Sequence, residues 1–208
     1  MNYTWVKRIP AQDFLKKRFD WIDNEILKDN LAIAFQYIIF LILLEETVGL
    51  PGAISYSIYK DIILYTAAIV ESCIHHCVGI CLREGKIKST DIMPWEWKME
   101  PPKLLYKINE DRRVVGATAY KSHEKFNRNT RFLILNRAAL QAEILNKGLF
   151  DKSENLRMKR NKIHLAGLKK VDDYYEKSDL DKVFSDTSEI LERLKTKTSE
   201  LRSTVDVT

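Results

Sequence analysis

The stretch from Ile62 to Leu82 reads IILYTAAIVESCIHHCVGICL and forms most of a longer apolar segment that starts near Ser57. A helix with apolar side chains on nearly all faces belongs in the interior of a protein, because no face of it favours contact with water. Gly85 follows the segment and suits the end of a helix. The stretch therefore predicts a mainly α protein with this helix buried in its core.

Two more helices are predicted on the N-terminal side. Apolar side chains recur at helical spacing over residues 11–27, which predicts an amphipathic helix. Residues 31–46 are apolar on almost every face, and Asp29 or Asn30 would cap their first turn. The sequence Gly-Leu-Pro-Gly at 49–52 separates this second helix from the third.

Three helices are predicted on the C-terminal side. Residues 129–147 have one apolar face, and Gly148 suits the end of that helix. A helix over 151–168 begins with a sequence that resembles a capping box. Asp179 or Asp181 would open the last helix.

The segment between these two groups of helices has a different character. Residues 85–102 are rich in Pro and aromatic side chains, which predicts an irregular loop pinned by Trp95 and Trp97; stacking of both indoles on bases is the alternative. Alternating side chains predict a small β-hairpin around residues 104–120. The loop and hairpin together would form an insertion spanning about 85–128.

Length and composition indicate one globular domain. The chain has 208 residues, of which 45% are hydrophobic and 30% charged. We therefore expect a single helical domain over residues 1–208, with its core between about 11 and 202. The net charge of +5 is compatible with an anionic partner but does not require one. A basic cluster, read either as a solvated face or as an RNA contact, comprises Lys121, His123, Lys125 and Arg128.

Two features bear on the cellular compartment. The first residues lack the basic and then apolar layout of a signal peptide. The apolar run from Leu31 to Leu44 is shorter than the roughly 20 residues that a bilayer requires. We therefore expect a cytoplasmic protein with no membrane contact.

Three cysteines and two histidines lie close together in the apolar segment, which raises the possibility of a zinc site. Cys73, Cys77 and Cys81 line one side of a helix, with His76 near that side and His75 beside it. One straight helix cannot easily surround a metal tetrahedrally, and free cysteines in an apolar helix behave as small hydrophobes. We expect the thiols to be buried, reduced and free of metal, and the two histidines to approach a dimer interface.

The residues best suited to chemistry lie between Leu156 and Leu165. At 100° per residue, Arg157, Arg160, Asn161 and His164 fall within an arc of about 100° on one helix. A guanidinium binds phosphate through parallel hydrogen bonds, and an imidazole titrates near neutrality and moves protons. The set suffices for cleavage of RNA by its own 2′-hydroxyl. The alternative is an ordinary solvated basic face.

The segment Arg160-Asn161-Lys162-Ile163-His164-Leu165 resembles the signature of the HEPN superfamily, an Arg followed by a polar residue and, after four to six intervening residues, a His. Arg160 and His164 are separated by three residues, and Arg157 and His164 by six. The resemblance covers roughly residues 30–200 and includes the apolar helix from Ile62 to Leu82.

The resemblance implies a HEPN-like helical bundle and a metal-independent endoribonuclease, possible biological roles being a toxin or a phage-defence effector. It assigns His164 as general acid or base, Arg157 or Arg160 as the phosphate-binding residue, and Asn161 as the adjacent polar residue. It implies RNA as substrate, a homodimer that pairs two motifs, no cofactor, and a cognate antitoxin such as a nucleotidyltransferase-like protein. The alternative is a catalytically inactive HEPN-like module that binds RNA or a protein partner.

Overall fold

The two apolar segments form long helices that pack against each other in the computed structural model, which describes residues 4–162 and 175–203. They are α2 (Glu25–Val48) and α3 (Gly52–Arg83). Gly49 ends α2 with a φ of 61°, a left-handed conformation that glycine adopts without strain, and its N–H donates to the Glu45 carbonyl. Pro51 then fixes the start of α3. The predicted break between the two helices is confirmed.

Three further helices complete the core. Helix α7 (Lys177–Ser203) packs along α3. Helix α5 (Phe132–Gln141) packs against α3 and α6 (Lys147–Asn161), and α6 also contacts α3 and α7. Fully buried side chains from α3, α5 and α7, among them Ile62, Leu135 and Leu194, form one hydrophobic cluster. The mainly α prediction is confirmed. The remaining α-helices and two 3₁₀ turns are α1 (Gln12–Lys16), α4 (Ser89–Ile92), Thr4–Arg8 and Lys17–Phe19.

The predicted continuous helix over 11–27 is wrong. Helix α1 ends at Lys16, a 3₁₀ turn follows, and α2 begins at Glu25. The side chain of Asn24 accepts a hydrogen bond from the Leu27 N–H at 2.9 Å, so Asn24 caps α2 in place of Asp29 or Asn30. The apolar spacing continues through the break because Phe19 and Ile22, which lie within it, are both buried in the core.

The boundary between α5 and α6 also differs from the prediction. Helix α5 ends at Gln141, and the chain then turns so that Ile144 and Leu145 are buried. Asn146 caps α6 by accepting from the Leu149 N–H at 2.9 Å, which places Gly148 inside α6 and not at the end of a helix. The predicted extension of this helix to residue 168 lies outside the described residues.

A β arm connects α4 to α5. Strands β2 (Lys103–Lys107) and β3 (Arg113–Gly116) form the predicted hairpin. A second antiparallel pair, β1 (Trp95–Met99) and β4 (Ala119–His123), continues the arm where an irregular loop was predicted. Trp95 and Trp97 are 62% and 66% exposed, so they do not pin a loop. Apolar and charged residues do alternate along β1, but Pro94 before it and Pro101 and Pro102 after it favoured an irregular loop in the sequence.

The three cysteines of α3 are buried and free, as expected. Burial raises the pKa of the Cys73 and Cys81 thiols and raises the pKa of Cys77 to about 12. Cys77 lies 3.2 Å from the Thr198 hydroxyl of α7, which ties the two helices together. Protonated, enclosed thiols are poor metal ligands. The absence of a bound metal stays a prediction.

Helix α2 and residues Ile54–Arg83 of α3 are long and apolar enough to cross a membrane, by length and composition alone. Core helices of soluble proteins share those properties. Of the most apolar window, 61% is buried inside the structure for α3 and 28% for α2. Helix α2 has 24 residues and is longer than the apolar run from Leu31 to Leu44, so the length of that run does not argue against a membrane span.

Candidate active site

A cleft of about 670 Å³ lies where α3, α6 and the segment leading into α5 meet. Helix α6 contributes Arg157, Arg160 and Asn161, three of the four residues chosen from the sequence. The fourth, His164, lies outside the described residues. The polar and charged side chains that line the cleft from the other two elements are Glu71, Ser72, His75, Arg128, Asn129, Thr130 and Arg131.

Helix α6 directs these residues into the cleft from the side that packs against α3 and α5. Because a helix turns by 100° per residue, the buried Ser153 and Leu156 lie one turn before Arg157 and Arg160 on that same side, and the two arginines are half-buried. Asn161 is the last residue of the helix and is exposed at the edge of the cleft. Arg157, Arg160 and Asn161 of the predicted stripe thus line one cleft.

Arg157 is held in place by a polar network that links α5 to α6. Its Nε and Nη2 donate to one oxygen of Glu154, at 3.0 and 2.8 Å. The other oxygen of Glu154 accepts from the Asn136 amide at 2.6 Å, and the Asn136 carbonyl oxygen accepts from the Ser153 hydroxyl at 2.8 Å. Asn136 and Ser153 are fully buried. The network fixes the guanidinium before any ligand arrives, which lowers the entropy lost on binding.

Arg160 connects α6 to α3. Its Nη1 donates to a carboxylate oxygen of Glu71 at 2.6 Å. Burial raises the pKa of Glu71, and the nearby Arg160 only partly opposes that effect. Glu71 therefore binds a proton more readily than an exposed carboxylate, which is useful in a site that moves protons.

His75 lies one turn after Glu71 on α3 and lines the same cleft. Its Nε2 is 3.0 Å from the Asn127 carbonyl, and its ring stacks on Phe126 with centroids 4.6 Å apart. A neutral imidazole that donates through Nε2 keeps a lone pair on Nδ1. His76 points elsewhere, is buried, and has its Nε2 3.6 Å from Asp23. A zinc site on α3 would need His75 and His76 close to the same metal, but His75 lines the cleft and His76 lies beside Asp23.

The cleft has an excess of positive charge. Arg128 and Arg131 join Arg157 and Arg160, while Glu71 is the one carboxylate among the described lining residues. Arg128 and Arg131 are exposed, and Arg131 has a distant ion pair with Glu124 at 3.7 Å. A partly enclosed cluster of guanidiniums is suited to bind a phosphate group.

Sequence reasoning missed Glu71, His75 and Arg131 as members of the site. They lie far from α6 in the chain and reach the cleft only because α3 and the start of α5 pack beside α6. Glu71 and His75 are spaced one helical turn apart, which places them on one face of α3. That spacing was the available signal, but the apolar character of α3 argued for a purely structural helix.

We expect the Glu71–Arg160 ion pair to stabilise the fold at neutral pH. In Arg160→Gln, Glu71 loses its cation, and the free energy of unfolding should fall by about 1–3 kcal/mol at pH 7. Burial raises the pKa of Glu71 in the folded protein above its value in the unfolded chain, so the folded protein binds this proton more tightly. The contribution of Glu71 to stability is therefore largest at low pH and is lost as the pH rises through the raised pKa. The loss in Arg160→Gln should therefore shrink towards pH 4.5.

Urea unfolding of Arg160→Gln, Glu71→Gln and the double variant measures this coupling. Lys147→Gln is the matched control, because its pair with Asp151 on the same helix is 71% and 54% exposed and should contribute little. Additive losses in the double variant would contradict the prediction.

Comparisons of the chain with protein-family models, curated proteins and solved structures gave no match.

Proposed function

We propose that this protein is an endoribonuclease of HEPN type that cleaves single-stranded RNA in the cleft beside α6. The observation that carries the proposal is the convergence of Arg157 and Arg160, each oriented by a carboxylate, with His75 and Glu71 in one cationic cleft. The helical spacing of Arg157, Arg160 and Asn161 in the sequence is an independent indication of the same site.

The reaction uses the substrate's own nucleophile. The ribose 2′-oxygen forms a bond to the adjacent phosphorus while the bond to the 5′-oxygen of the next nucleotide breaks. A base accepts the 2′-hydroxyl proton, and an acid donates a proton to the leaving 5′-oxygen. The products are a 2′,3′-cyclic phosphate and a 5′-hydroxyl. Arg157 and Arg160 would neutralise the non-bridging oxygens, whose charge grows in the transition state.

His164 would carry one of the two proton transfers. It follows Asn161 by three residues, a length of chain that spans at most about 11 Å. The described residues on both sides of this segment are well anchored: Tyr175 is buried and its hydroxyl donates to the Lys159 carbonyl at 2.9 Å. The second transfer would fall to Glu71, to His75 or to the second His164 of a dimer.

Asn161 has a supporting role in this proposal. The exposed Asn161 amide would donate to the phosphate or orient the imidazole of His164. Glu71 accepts a hydrogen bond from Arg160. The proposed chemistry needs no resident metal, because the guanidiniums of Arg157 and Arg160 would neutralise the charge of the phosphate. No cofactor is required.

A catalytically inactive HEPN-like module that binds RNA or a protein partner is the second candidate. It is favoured by one observation: Arg157 and Arg160 are both already paired, with Glu154 and Glu71. Fully neutralised guanidiniums would bind phosphate weakly. The second candidate predicts binding without cleavage.

The experiment that separates the two candidates is incubation of the purified protein with a labelled single-stranded RNA and with DNA of the same sequence, in EDTA. We expect the RNA to be cut and the DNA to be bound but spared, since DNA lacks the 2′-hydroxyl. Mass spectrometry should find 2′,3′-cyclic phosphate ends. Intact RNA would leave the binding module as the function, and cut DNA would contradict the mechanism.

The proposed biological setting is a cytoplasmic toxin or phage-defence effector controlled by a cognate antitoxin. A nucleotidyltransferase-like protein is the proposed antitoxin. A gene for such a protein beside the one for this chain, together with rescue of growth on co-expression, would support that setting.

We expect the protein to form a homodimer that brings two copies of the helix carrying Arg157 across a two-fold axis. Two-fold dimers are the commonest assembly, and a paired site would supply two imidazoles. Light scattering at micromolar concentration should give twice the chain mass of 24.3 kDa. A monomer that cleaves RNA at full rate after serial dilution would contradict this expectation.

A further inference from the structure

We propose that the outer face of the β arm is a binding platform for single-stranded RNA, with Trp95 and Trp97 as stacking surfaces for bases. The two residues alternate with Glu96 on β1 and so lie on one face of the arm. The register places His123 opposite Trp95 and Lys121 opposite Trp97 on that same face. The proposal extends the proposed function and rests on it for the class of ligand.

On β1 the indoles lie on the more exposed face of the strand. The opposite face of β1 carries Glu96 and Lys98, which are half-buried and border the segment leading into α5. The tryptophans face solvent, with roughly two thirds of each residue accessible. Exposed aromatic patches rimmed by polar groups mark interaction sites, because leaving such area in water is unfavourable.

The charges on this face favour a nucleic acid as the occupant. The Lys121 ammonium lies 5.5 Å from the centre of the Trp97 ring, and the His123 ring packs against Trp95 with centroids 3.6 Å apart. The nearest carboxylates on β1 and after it point elsewhere: Glu96 pairs with Lys98, and Glu100 accepts from Thr118. An aromatic surface with an adjacent cation provides stacking for a base and attraction for its phosphate.

The spacing suits a polynucleotide. Residues at i and i+2 of a strand are about 6.6–6.8 Å apart, roughly twice the rise between successive stacked bases. The platform is also continuous with the cleft along the chain. The segment after β4 carries Lys125 and then Arg128, Asn129 and Arg131, of which the last three line the cleft. An RNA held on the arm would be led by these cations towards Arg157 and Arg160.

The test measures binding of a fluorescein-labelled twelve-nucleotide RNA of adenosines to the full chain, by anisotropy. The RNA carries 2′-O-methyl groups, so binding is read separately from cleavage. Trp95→Ala/Trp97→Ala should weaken binding at least 10- to 100-fold. Trp95→Phe/Trp97→Phe, which keeps aromatic faces, should remain within about fivefold of wild type. Tyr120→Ala is the matched control, because Tyr120 is an exposed aromatic on the opposite face.

A second readout separates this proposal from the proposed function. The proposal assigns to the platform only the nucleotides beyond the scissile step, so the Trp95→Ala/Trp97→Ala variant should cleave an RNA dinucleotide at the wild-type rate. If no RNA is cleaved but the anisotropy result holds, the platform stands and the nuclease fails. Equal affinity in wild type and the alanine double variant overturns the platform.

The rival occupant of the face is a protein surface, such as a second copy of this chain. If light scattering showed the alanine double variant to be a monomer while wild type is a dimer, with RNA affinity unchanged, the face would be a protein contact. Lys121→Gln tests the contact with phosphate: this substitution should reduce the slope of log affinity against log salt concentration by about 1. An unchanged slope would count against phosphate contact at this face.

Discussion

Replacing His164 with alanine is expected to slow RNA cleavage by about 10²–10⁴-fold, the usual contribution of one general acid or base. The imidazole is the only group of the Arg157–His164 stripe that can exchange a proton near neutral pH, since guanidiniums remain charged. The loss should appear in kcat, because a proton-transfer group acts in the transition state more than in substrate binding. Quench-flow or gel assays of RNA cleavage, with EDTA present, measure it.

His75→Gln is the matched control for this substitution. Gln preserves a hydrogen-bond donor for the Asn127 carbonyl, so the local structure around Phe126 should survive. We expect a loss below tenfold when the second proton transfer falls to Glu71 or to the second His164, and a loss of about 10²–10⁴-fold with a changed pH profile when it falls to His75. A full-rate His164→Ala enzyme together with an inactive His75→Gln enzyme would move the catalytic role from the sequence motif to α3. Full activity in both variants would show that neither His164 nor His75 transfers a proton in the reaction.

Helical periodicity predicted the helices that bury one continuous face, because burial of that face dominates their energetics. It failed where a local hydrogen bond decides the boundary. Asn24 and Asn146 each cap a helix with one side-chain oxygen, and both lie inside runs whose apolar spacing looks continuous. The strand Trp95–Met99 was not predicted although its apolar and charged residues alternate, because prolines flank it and its partner strand β4 lies beyond the hairpin in the chain.

The candidate site was predictable only where its residues share one helix. Arg157, Arg160 and Asn161 follow from the angle between successive residues of α6. The partners that fix the two arginines follow from different rules. Glu154 lies one turn before Arg157 and is visible as an i, i+3 pair, whereas Glu71 meets Arg160 across 89 residues of chain. Such a contact depends on how α3 and α6 pack, which no local pattern encodes.

Replacing either arginine with alanine tests whether its guanidinium binds the scissile phosphate. We expect Arg157→Ala and Arg160→Ala each to lower kcat by about 10²–10³-fold, the typical cost of losing one donor to a developing oxyanion. Arg157 should have the larger effect, because its separation from His164 fits the motif and its guanidinium is held by the network of Glu154 and Asn136. Part of the effect of Arg160→Ala should be structural, since it also frees Glu71.

Two further substitutions separate phosphate binding from mere positive charge. Arg157→Lys keeps the charge but loses the planar fork, so it should recover only a small part of the activity lost in Arg157→Ala. Arg137→Ala removes an exposed arginine of α5 that does not line the cleft, and its rate should stay within about twofold of wild type. Equal small losses in Arg157→Ala and Arg137→Ala would show that α6 supplies only general electrostatic attraction. A large loss confined to Arg160→Ala would instead make Arg160 the phosphate ligand and Glu71 the residue that positions it.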